Sequence, residues 1–304
     1  MIYDKPPMST VAGTIAILGR PNVGKSTLLN RMVGEKLAIV TPKPQTTRNR
    51  ITGVLNDPRG QIVFVDTPGV HGATKELNRF MVGEALGVIP EVEAALLVVD
   101  ATTDRPGQAE ETILRGLADA RRPVVLAINK IDTVDKATLL PLLTRWSEQQ
   151  ELRAMVPICA RKGTNVDRLL GELWGLLPEG EPLYAPDMLT DRSERFLVSE
   201  LIREQLFLGL RQEVPYAVAI VIEGWEERSA GDVVISAEII VERDSQRAIV
   251  LGKGGAMIRD IGTRARGEIS DLLQRQAHLK LHVKVDPEWT TSPDAIARYG
   301  YRAP

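Results

Sequence analysis

The stretch that most constrains how this chain can fold is GRPNVGKST, at positions 19–27. It fits the phosphate-binding loop pattern G-x-x-x-x-G-K-S/T. An apolar, strand-sized run at 14–18 precedes it, and apolar residues at helical spacing follow it as far as Gly34. The loop is therefore predicted to connect a strand to a helix. A glycine-rich turn that matches by chance is the weaker interpretation.

The chemistry of this loop depends on its backbone. Consecutive N–H groups form a cup for a phosphate chain, and the following helix adds the positive end of its dipole. Lys25 is predicted to reach the β- and γ-phosphates, and the Ser26 hydroxyl to bind Mg²⁺. These features predict a nucleoside triphosphate without naming its base. The loop residues expected to contact it are Gly19, Asn22, Val23, Gly24, Lys25, Ser26 and Thr27.

Length and composition indicate a globular chain of two domains. The chain has 304 residues, of which 43% are hydrophobic and 26% charged, and a domain averages roughly 150 residues. Its one cysteine, Cys159, excludes an internal disulfide and a cysteine-built zinc site. No apolar run approaches the ~18 residues that span a bilayer, and the N-terminus lacks a signal-peptide core. We therefore expect a cytoplasmic protein.

Two further segments are predicted to reach the phosphates. Segment 35–49 contains two prolines and lacks the periodicity of a helix or a strand. It is therefore predicted to be a long loop, and loops of this length are usually functional. Its Thr46 and Thr47 are candidate metal ligands. Asp66 ends a predicted strand and opens the sequence DTPG, where the carboxylate can hold Mg²⁺ and the Gly69 N–H can meet a γ-phosphate. Alone, DTPG is more often a plain turn, but the preceding motifs favour a nucleotide site. Its other members are Thr67 and Pro68.

Buried strand-like runs alternate with amphipathic helical segments as far as residue 177. This rhythm predicts an α/β domain with a mainly parallel sheet covered by helices on both faces. Ligands of such sheets bind beyond the carboxyl ends of the strands, where all these motifs fall. The predicted strands are 50–55, 61–65, 92–100, 123–128 and 154–159, and the predicted helices are 108–120, 138–150 and 165–177.

The sequence Asn129-Lys130-Ile131-Asp132 directly follows one of these strands. The Asp132 carboxylate can accept hydrogen bonds from N1–H and the 2-amino group of guanine, whereas adenine would leave it unpaired. A helix N-cap is the alternative role for an Asp in this place. With the preceding motifs, the pattern predicts a guanine nucleotide.

The combination GRPNVGKST, QTTR, DTPG and NKID resembles the TrmE-Era-EngA group of bacterial GTPases. The resemblance covers residues 13–177 and implies a Ras-like P-loop GTPase domain. It implies that Thr47, rather than Thr46, is the metal ligand of the first switch loop, and that Lys25, Thr47 and Gly69 serve catalysis. The metal ligands would then be Ser26, Thr47 and Asp66.

The base-contact loop is implied by the same resemblance. Cys159-Ala160-Arg161 takes the place of the family's Ser-Ala-Leu, and Ala160 would offer its N–H to the guanine carbonyl. Cys159 and Arg161 depart from the pattern. The resemblance therefore places guanine among Asn129, Lys130, Asp132, Cys159, Ala160 and Arg161.

Hydrolysis is expected to be slow. Val70 stands where Ras-like proteins carry a water-positioning Gln. Asn22 matches an Asn that helps hold K⁺ near the phosphates in related GTPases, so the resemblance implies a K⁺ site. His71 is a candidate base, but a solvated loop histidine is the simpler interpretation.

The pattern of predicted helices and strands changes after residue 178. A proline-rich linker is followed by a helix, two strands, a G-x-x-G loop, a second helix and a third strand. This order resembles an α+β type II KH domain, in which the loop packs against the backbone of single-stranded nucleic acid. A helix-entry turn is the commoner explanation of G-x-x-G alone. The predicted elements are 194–210, 216–223, 233–242, the loop at 252–255, a helix to about 276, and 279–285.

Charge supports this interpretation only locally. From residue 190 to the end, 16 Lys and Arg face 18 Asp and Glu, but from 243 to 275 the count is seven basic against four acidic. A positive strip is what a backbone clamp requires. The expected RNA-binding residues are Gly252, Lys253, Gly254, Gly255, Arg259, Arg264 and Arg266.

The domain order resembles the Era family over nearly the whole chain. The expected parts are a tail at 1–9, a GTPase domain at 10–178, a linker at 179–191, a KH-like domain at 192–290 and a tail at 291–304. The resemblance implies a monomer that uses GTP/GDP, Mg²⁺ and K⁺. It also implies binding to the 3′ end of small-subunit ribosomal RNA, a role in small ribosomal subunit assembly and peripheral association with the inner face of the cell membrane.

Three alternatives stay open. The chain could be another RNA-binding regulatory GTPase with a different RNA target. It could be a P-loop kinase or another ATP-using enzyme, although the NKID sequence argues against adenine. It could also be an RNA-binding module with a purely structural nucleotide site, although the intact Lys25 and Ser26 argue against that.

Overall fold

The structure, a computed structural model, describes residues 10–72, 75–148, 152–228 and 231–301. The predicted tail at 1–9 lies outside these residues. The chain forms two compact units, and the division differs from the predicted one because two short segments of the GTPase region group with the second unit. Of the described residues, the first unit holds 10–38, 47–72 and 81–191, and the second holds 39–46, 75–80 and 192–301.

The first unit contains a six-stranded sheet in the order β2-β3-β1-β4-β5-β6. Only the β2–β3 pair is antiparallel within the described residues. The predicted mainly parallel sheet is confirmed. Its strands are β1 (Val11–Leu18), β2 (Ile51–Asp57), β3 (Gly60–Asp66), β4 (Ala94–Asp100), β5 (Val124–Asn129) and β6 (Ala154–Pro157).

Helices cover both faces of this sheet, as the sequence predicts. On one face, Leu97 of the sheet packs in a cluster with Ile113 and Trp146 of two helices. The neighbouring residue Val98 is also fully buried but does not belong to that cluster. Successive residues of a strand point to opposite faces of the sheet, so Val98 is buried on the other face. The helices are α1 (Lys25–Val33), α3 (Gln108–Asp119), α4 (Lys136–Ser147), α5 (Val166–Trp174) and α2 (Glu76–Gly87), of which residues 81–87 belong to this unit.

The predicted linker is an ordered part of the first unit. Gln61 of β3 is fully buried, and its Oε1 accepts from the N–H groups of Leu183 (2.8 Å) and Tyr184 (2.9 Å). Val54 of β2 donates its N–H to the Leu189 carbonyl at 2.8 Å. The segment therefore covers the outer edge of β2, where backbone groups would otherwise lack sheet partners.

The second unit is built on a three-stranded sheet in the order β7-β8-β9, antiparallel between β7 and β8 and parallel between β8 and β9. Ile202, Ile239 and Ile261 join two helices to the sheet in one core. The element order is that of a type II KH domain, which confirms the predicted fold. The elements are α6 (Glu194–Gly209), β7 (Ala219–Glu227), β8 (Val233–Val241), α7 (Asp244–Leu251), α8 (Ala256–Leu273), β9 (Ala277–Val285) and α9 (Pro293–Arg298).

Segment 39–46 belongs to this second unit. The Val40 N–H donates to the Glu204 carboxylate on α6 at 2.8 Å. The Lys43 ammonium donates to the carbonyls of Phe207 and Leu210, at the C-terminal end of α6. A cation there is favoured by the helix dipole and by the unpaired terminal carbonyls.

The expected tail at 291–304 is wrong for its described part. Ser292 caps α9 by accepting from the Ala295 N–H. Trp289 is fully buried and stacks on Tyr301, with ring centroids 5.9 Å apart, while Tyr299 meets it edge-on at 5.8 Å. These aromatic residues hold the C-terminal segment in place.

No helix among the described residues is both long enough and apolar enough to cross a lipid bilayer.

Candidate functional site

Two glycines shape the loop between β1 and α1. Gly19 has φ 147° and Gly24 has φ 100°, conformations that side chains disfavour. A Cβ on Gly19 would lie 2.3 Å from the Val98 carbonyl oxygen, and one on Gly24 would lie 2.3 Å from Asn129 Nδ2. The loop backbone thus lies directly against the carboxyl ends of β4 and β5, the edge of the sheet where ligands bind.

Lys25 begins α1, and its side chain is buried against the loop. Its Nζ donates to the carbonyl oxygens of Gly19 (3.1 Å) and Arg20 (3.0 Å). Burial lowers the pKa of Lys25 to about 8, and the charge of Asp66 opposes that change. The amine is therefore held at the phosphate-binding loop, and its contact with the phosphates stays a prediction.

Three oxygen-bearing side chains converge beside Lys25. Ser26 Oγ donates to Asp66 Oδ2 at 2.6 Å and lies 2.8 Å from Thr47 Oγ1, and Thr47 Oγ1 donates to the same carboxylate oxygen at 3.4 Å. Burial raises the pKa of the fully buried Asp66 to about 6, against the effects of Lys25, Ser26 and Thr47. Hydroxyl and carboxylate oxygens are the donors that Mg²⁺ prefers, so the residues fit the predicted metal.

The other candidate hydroxyl points elsewhere. Thr46 Oγ1 donates to the Lys43 carbonyl at 2.8 Å and lies 2.8 Å from Thr41 Oγ1. The geometry therefore favours Thr47 as the metal ligand of this loop. Among the described residues, no group of three or more His, Cys, Asp or Glu could hold a metal by itself. A magnesium site here must combine hydroxyls, one carboxylate and substrate oxygens.

The DTPG turn lies on the phosphate-binding loop. Thr67 Oγ1 donates to the Ile17 carbonyl at 2.8 Å, and the Val70 N–H donates to the Gly19 carbonyl at 3.2 Å. A Cβ on Gly69 would lie 2.4 Å from the Pro21 nitrogen, so only glycine allows this approach. Val70 itself is buried in the apolar core. It cannot orient water, as the sequence predicts. Pro68 lies within this turn.

Asn129 connects two loops at the end of β5. Its Nδ2 donates to the Val23 carbonyl at 2.8 Å, and its Oδ1 accepts from the Ala160 N–H at 2.9 Å. Lys130 donates to the Asn22 carbonyl at 2.7 Å. The Ala160 N–H predicted for guanine is thus bonded to Asn129 here, and its contact with the base stays a prediction. Thr27, in the first turn of α1, completes the predicted loop residues.

Asp132 lies among donors from the base-contact loop. Its Oδ2 is 3.1 Å from Arg161 Nη2 and 3.2 Å from Lys162 Nζ. A hydrogen bond from Cys159, then those from Lys162 and Arg161, lower the pKa of Asp132 to about 2. The carboxylate is therefore ionised and able to accept two hydrogen bonds from guanine. Cys159 and Arg161, which depart from the family pattern, both act on it.

Two interactions that stabilise the site were not predicted from the sequence. Arg31 of α1 donates to the carbonyls of Ala160 (3.3 Å) and Arg161 (2.7 Å) and so fixes the base-contact loop. In the phosphate loop, Arg20 pairs with Glu110, whose carboxylate is fully buried in the first turn of α3. Sequence alone could signal neither, because both depend on contacts across distant positions of the chain.

The second predicted site is the G-x-x-G loop between α7 and α8. Gly252, Gly254 and Gly255 have φ of 69°, 58° and 75°, so each favours glycine. Arg259 Nη2 donates to the Gly254 carbonyl at 2.9 Å and supports the loop. Lys253 lies within the short 3₁₀ turn of the loop, where no residue is buried.

A groove of about 380 Å³ adjoins this loop, between α8 and β9. Arg259 and Arg266, two of the residues predicted to bind RNA, line it. Arg264, also predicted to bind RNA, does not line it: its guanidinium pairs with Asp260 at 2.8 Å and lies beside Gly209 of α6. Helical periodicity turns position 264 away from the face that carries 259 and 266. The remaining lining residues are Ile258, Gly262, Thr263, His278, Leu279 and Leu281.

Comparison with known proteins identifies both domains. Residues 14–130 match the family described as a 50S ribosome-binding GTPase, and residues 213–290 match the KH domain family. The chain is 48% identical to the GTPase Era of Geotalea daltonii over 290 residues, which are 95% of this chain and 97% of that protein. It is 43% identical to the GTPase Era of Heliobacterium modesticaldum over the same shares of both chains.

Two solved structures have the same fold, each with TM-score 0.93 and 39% identity over 97% of this chain and 100% of theirs. One is a point variant of Aquifex aeolicus Era bound to GDP·AlF4⁻. The other is Era in complex with MgGDPNP and nucleotides 1506–1542 of 16S ribosomal RNA. With the phosphate-loop geometry and the KH fold described above, these matches show that the chain belongs to the Era family of GTPases.

Proposed function

We propose that this chain is a GTP-hydrolysing switch protein that binds the 3′ end of small-subunit ribosomal RNA and assists small ribosomal subunit assembly. The observation that carries the proposal is the convergence of Ser26, Thr47 and Asp66 beside Lys25. The related Era structure in complex with both MgGDPNP and nucleotides of 16S ribosomal RNA supports both halves of it.

Each residue of the nucleotide site has a distinct task. The loop N–H groups and Lys25 bind the phosphates, and the Asp132 carboxylate selects guanine. Ser26, Thr47 and Asp66 would hold Mg²⁺, which neutralises charge that develops on the phosphates during transfer. Thr47 and Gly69 come from the two loops expected to respond to the γ-phosphate, so these residues distinguish GTP from GDP.

Turnover by the protein alone should be slow. Val70 is buried and apolar, so no side chain at that position orients the attacking water. We propose that Asn22, exposed in the phosphate loop, helps to hold K⁺ there. GTP hydrolysis should then be faster in KCl than in NaCl, and Asn22→Ala should remove the difference. Equal rates in both salts would overturn the K⁺ site.

The RNA site is proposed at the G-x-x-G loop and the groove between α8 and β9. The positive-φ glycines allow a nucleic-acid backbone to approach closely, and Arg259 and Arg266 supply positive charge along the groove. Apolar residues of β9 line the same groove, where bases can be accommodated.

We further propose that GTP changes the affinity for RNA. The chain itself supports such coupling: residue 46 belongs to the second unit, and the next residue, Thr47, lies at the metal site of the first. Ordering Thr47 around Mg²⁺ would therefore act on segment 39–46, which is hydrogen-bonded to α6.

The test titrates a labelled oligonucleotide that matches the 3′ end of small-subunit ribosomal RNA, with a GTP analogue, with GDP and without nucleotide. Lys253→Asp with Gly254→Asp should abolish binding. Lys136→Asp with Gly171→Asp, which makes the same charge change on exposed positions of the first unit, should preserve it. Equal affinity with analogue and GDP would overturn the coupling, and unchanged binding by the first variant would overturn the RNA site. Preference for an unrelated RNA would favour a different RNA target.

Location and assembly state are proposed from the family resemblance. We propose a cytoplasmic monomer that associates peripherally with the inner face of the cell membrane. The absence of a membrane-spanning helix among the described residues is compatible with this. Light scattering should give the mass of one chain, and flotation with anionic vesicles should recover a salt-sensitive fraction. A dimer mass, or no vesicle-bound fraction at low salt, would contradict the respective proposal.

A further inference from the structure

The base-contact loop carries two cations whose part in selecting the base has not yet been assigned. Arg161 and Lys162 follow each other in a tight turn and both reach Oδ2 of Asp132, at 3.1 and 3.2 Å. The turn is fixed by its own backbone, because the N–H groups of Lys162 (3.1 Å) and Gly163 (2.8 Å) both donate to the Cys159 carbonyl. Arg31 holds the Arg161 carbonyl from α1 at 2.7 Å.

A guanine base makes a specific demand on Asp132. Two parallel hydrogen bonds, from N1–H and the 2-amino group, require one lone pair on each carboxylate oxygen. The base also removes water from the carboxylate, and desolvation disfavours its charged form. Other donors must then occupy the remaining lone pairs and compensate the charge. A thiol such as that of Cys159 is a weak donor, so it serves this purpose poorly by itself.

Arg161 and Lys162 can meet this demand without blocking the base. They reach the same oxygen from mostly exposed positions, with 78% and 58% of their side chains exposed. Either cation can therefore bind one lone pair of Oδ2 while the other lone pair faces the base. Since the two are alternative donors, removing one leaves the other in place.

We propose that Arg161 and Lys162 are positioning residues for guanine recognition: together they hold the Asp132 carboxylate ionised and oriented beneath the base, and thereby set the preference for a purine with a 2-amino group. The proposal rests on the role of Asp132 given above. It assigns a function to Arg161, one of the two residues at which this chain departs from its family, and to its neighbour Lys162.

The test compares affinities for GDP and IDP, because inosine lacks only the 2-amino group that Asp132 binds. Arg161→Leu with Lys162→Met should lower the GDP/IDP affinity ratio about three- to tenfold at low salt, the effect of weakening one charge-assisted hydrogen bond at an exposed site. Each single variant should change the ratio less than the double variant. Arg161→Lys with Lys162→Arg, which keeps both charges, should preserve it. Salt should weaken the effect because exposed charges are screened.

A matched control separates this role from general electrostatics. Arg168→Leu with Lys136→Met removes the same charge from exposed positions of the first unit and should leave the ratio unchanged. In an Asp132→Asn background, the Arg161 and Lys162 changes should also have no effect on the ratio, since their target is gone.

The outcomes distinguish the inference from the function on which it rests. If Asp132→Asn itself does not alter the GDP/IDP ratio, Asp132 is not the guanine-reading residue and both fail. If Asp132→Asn collapses the ratio but the Arg161 and Lys162 variant keeps or raises it, this inference alone is overturned. An equal loss of GDP and IDP affinity would also overturn it, because the cations would then act elsewhere on the nucleotide.

Discussion

Replacing Asp66 by asparagine should make the nucleotide-free first unit more stable near neutral pH, although it removes a proposed metal ligand. The pKa of Asp66 is raised from an ordinary 3.8 to about 6, chiefly by burial. Because the folded-state pKa lies above the unfolded value, stability from this group is fully present below pH 3.8 and is lost as the pH rises through about 6.

The magnitude follows from that difference. Each pH unit between the two pKa values corresponds to about 1.4 kcal/mol, so the ionised carboxylate costs the folded state about 3 kcal/mol at pH 7. An asparagine side chain at this position would carry no charge at any pH. Across pH 4 to 7, the unfolding free energy of D66N should therefore gain about 3 kcal/mol relative to the wild-type protein.

The assay is urea unfolding without nucleotide and with EDTA, at intervals from pH 4 to 7. Hydrogen–deuterium pulse labelling of peptides from β1 and α1 would report on the first unit alone, since a two-unit chain need not unfold in one step. Asp187→Asn, at an exposed position, is the matched control and should follow the wild-type profile. Parallel profiles for D66N and wild type would refute the reasoning.

Three other changes test single contacts. Gly24→Ala should lower GDP affinity at least about tenfold in equilibrium titrations, because its Cβ would lie 2.3 Å from Asn129 Nδ2 at a φ of 100°; near-native affinity would contradict the loop geometry. Thr47→Ala should lower kcat for GTP about 100-fold while GDP affinity changes little, since the residue acts on the triphosphate state; equal losses in both would argue for a structural role. Trp289→Ala should destabilise the second unit by about 3–5 kcal/mol in urea unfolding, because the fully buried ring stacks on Tyr301; a change below about 1 kcal/mol would contradict the packing.

Much of the first unit could be predicted because its signals are local. The phosphate-binding loop, the DTPG turn and NKID each sit at the end of a continuous apolar strand, so sequence order was enough to place them at one edge of the sheet. The β2–β3 hairpin likewise follows from a turn sequence between two strand-like runs.

Three helices, α2, α7 and α9, were not predicted from the sequence because they lack such local signals. Helix α2 contains Gly83 and Gly87, which lower helix propensity. Helix α7 has only eight residues. Helix α9 depends on the packing of Trp289, which lies outside it. In each case tertiary contacts stabilise a segment whose own pattern is weak.

The candidate site was also only partly predictable. Residue types identified Ser26, Thr47 and Asp66, but their convergence depends on contacts between positions 19 to 40 residues apart. Charge alone does not show that Arg264 lies on a different face of α8 from Arg259 and Arg266. The sequence shows that Arg161 departs from the family pattern, but only the structure shows that its side chain contacts Asp132.

The two sites differ in how they are prepared for their ligands. The nucleotide site buries Lys25 and Asp66, and burial moves the pKa of each toward its neutral form. Both charges are therefore unfavourable in the folded chain until phosphate oxygens and Mg²⁺ compensate them. The G-x-x-G loop instead has positive-φ glycines and an exposed Lys253, so its geometry exists without a ligand. Ligand binding should therefore raise the unfolding free energy of the first unit much more than that of the second. Only in the first unit does the ligand compensate buried charges that are unfavourable without it.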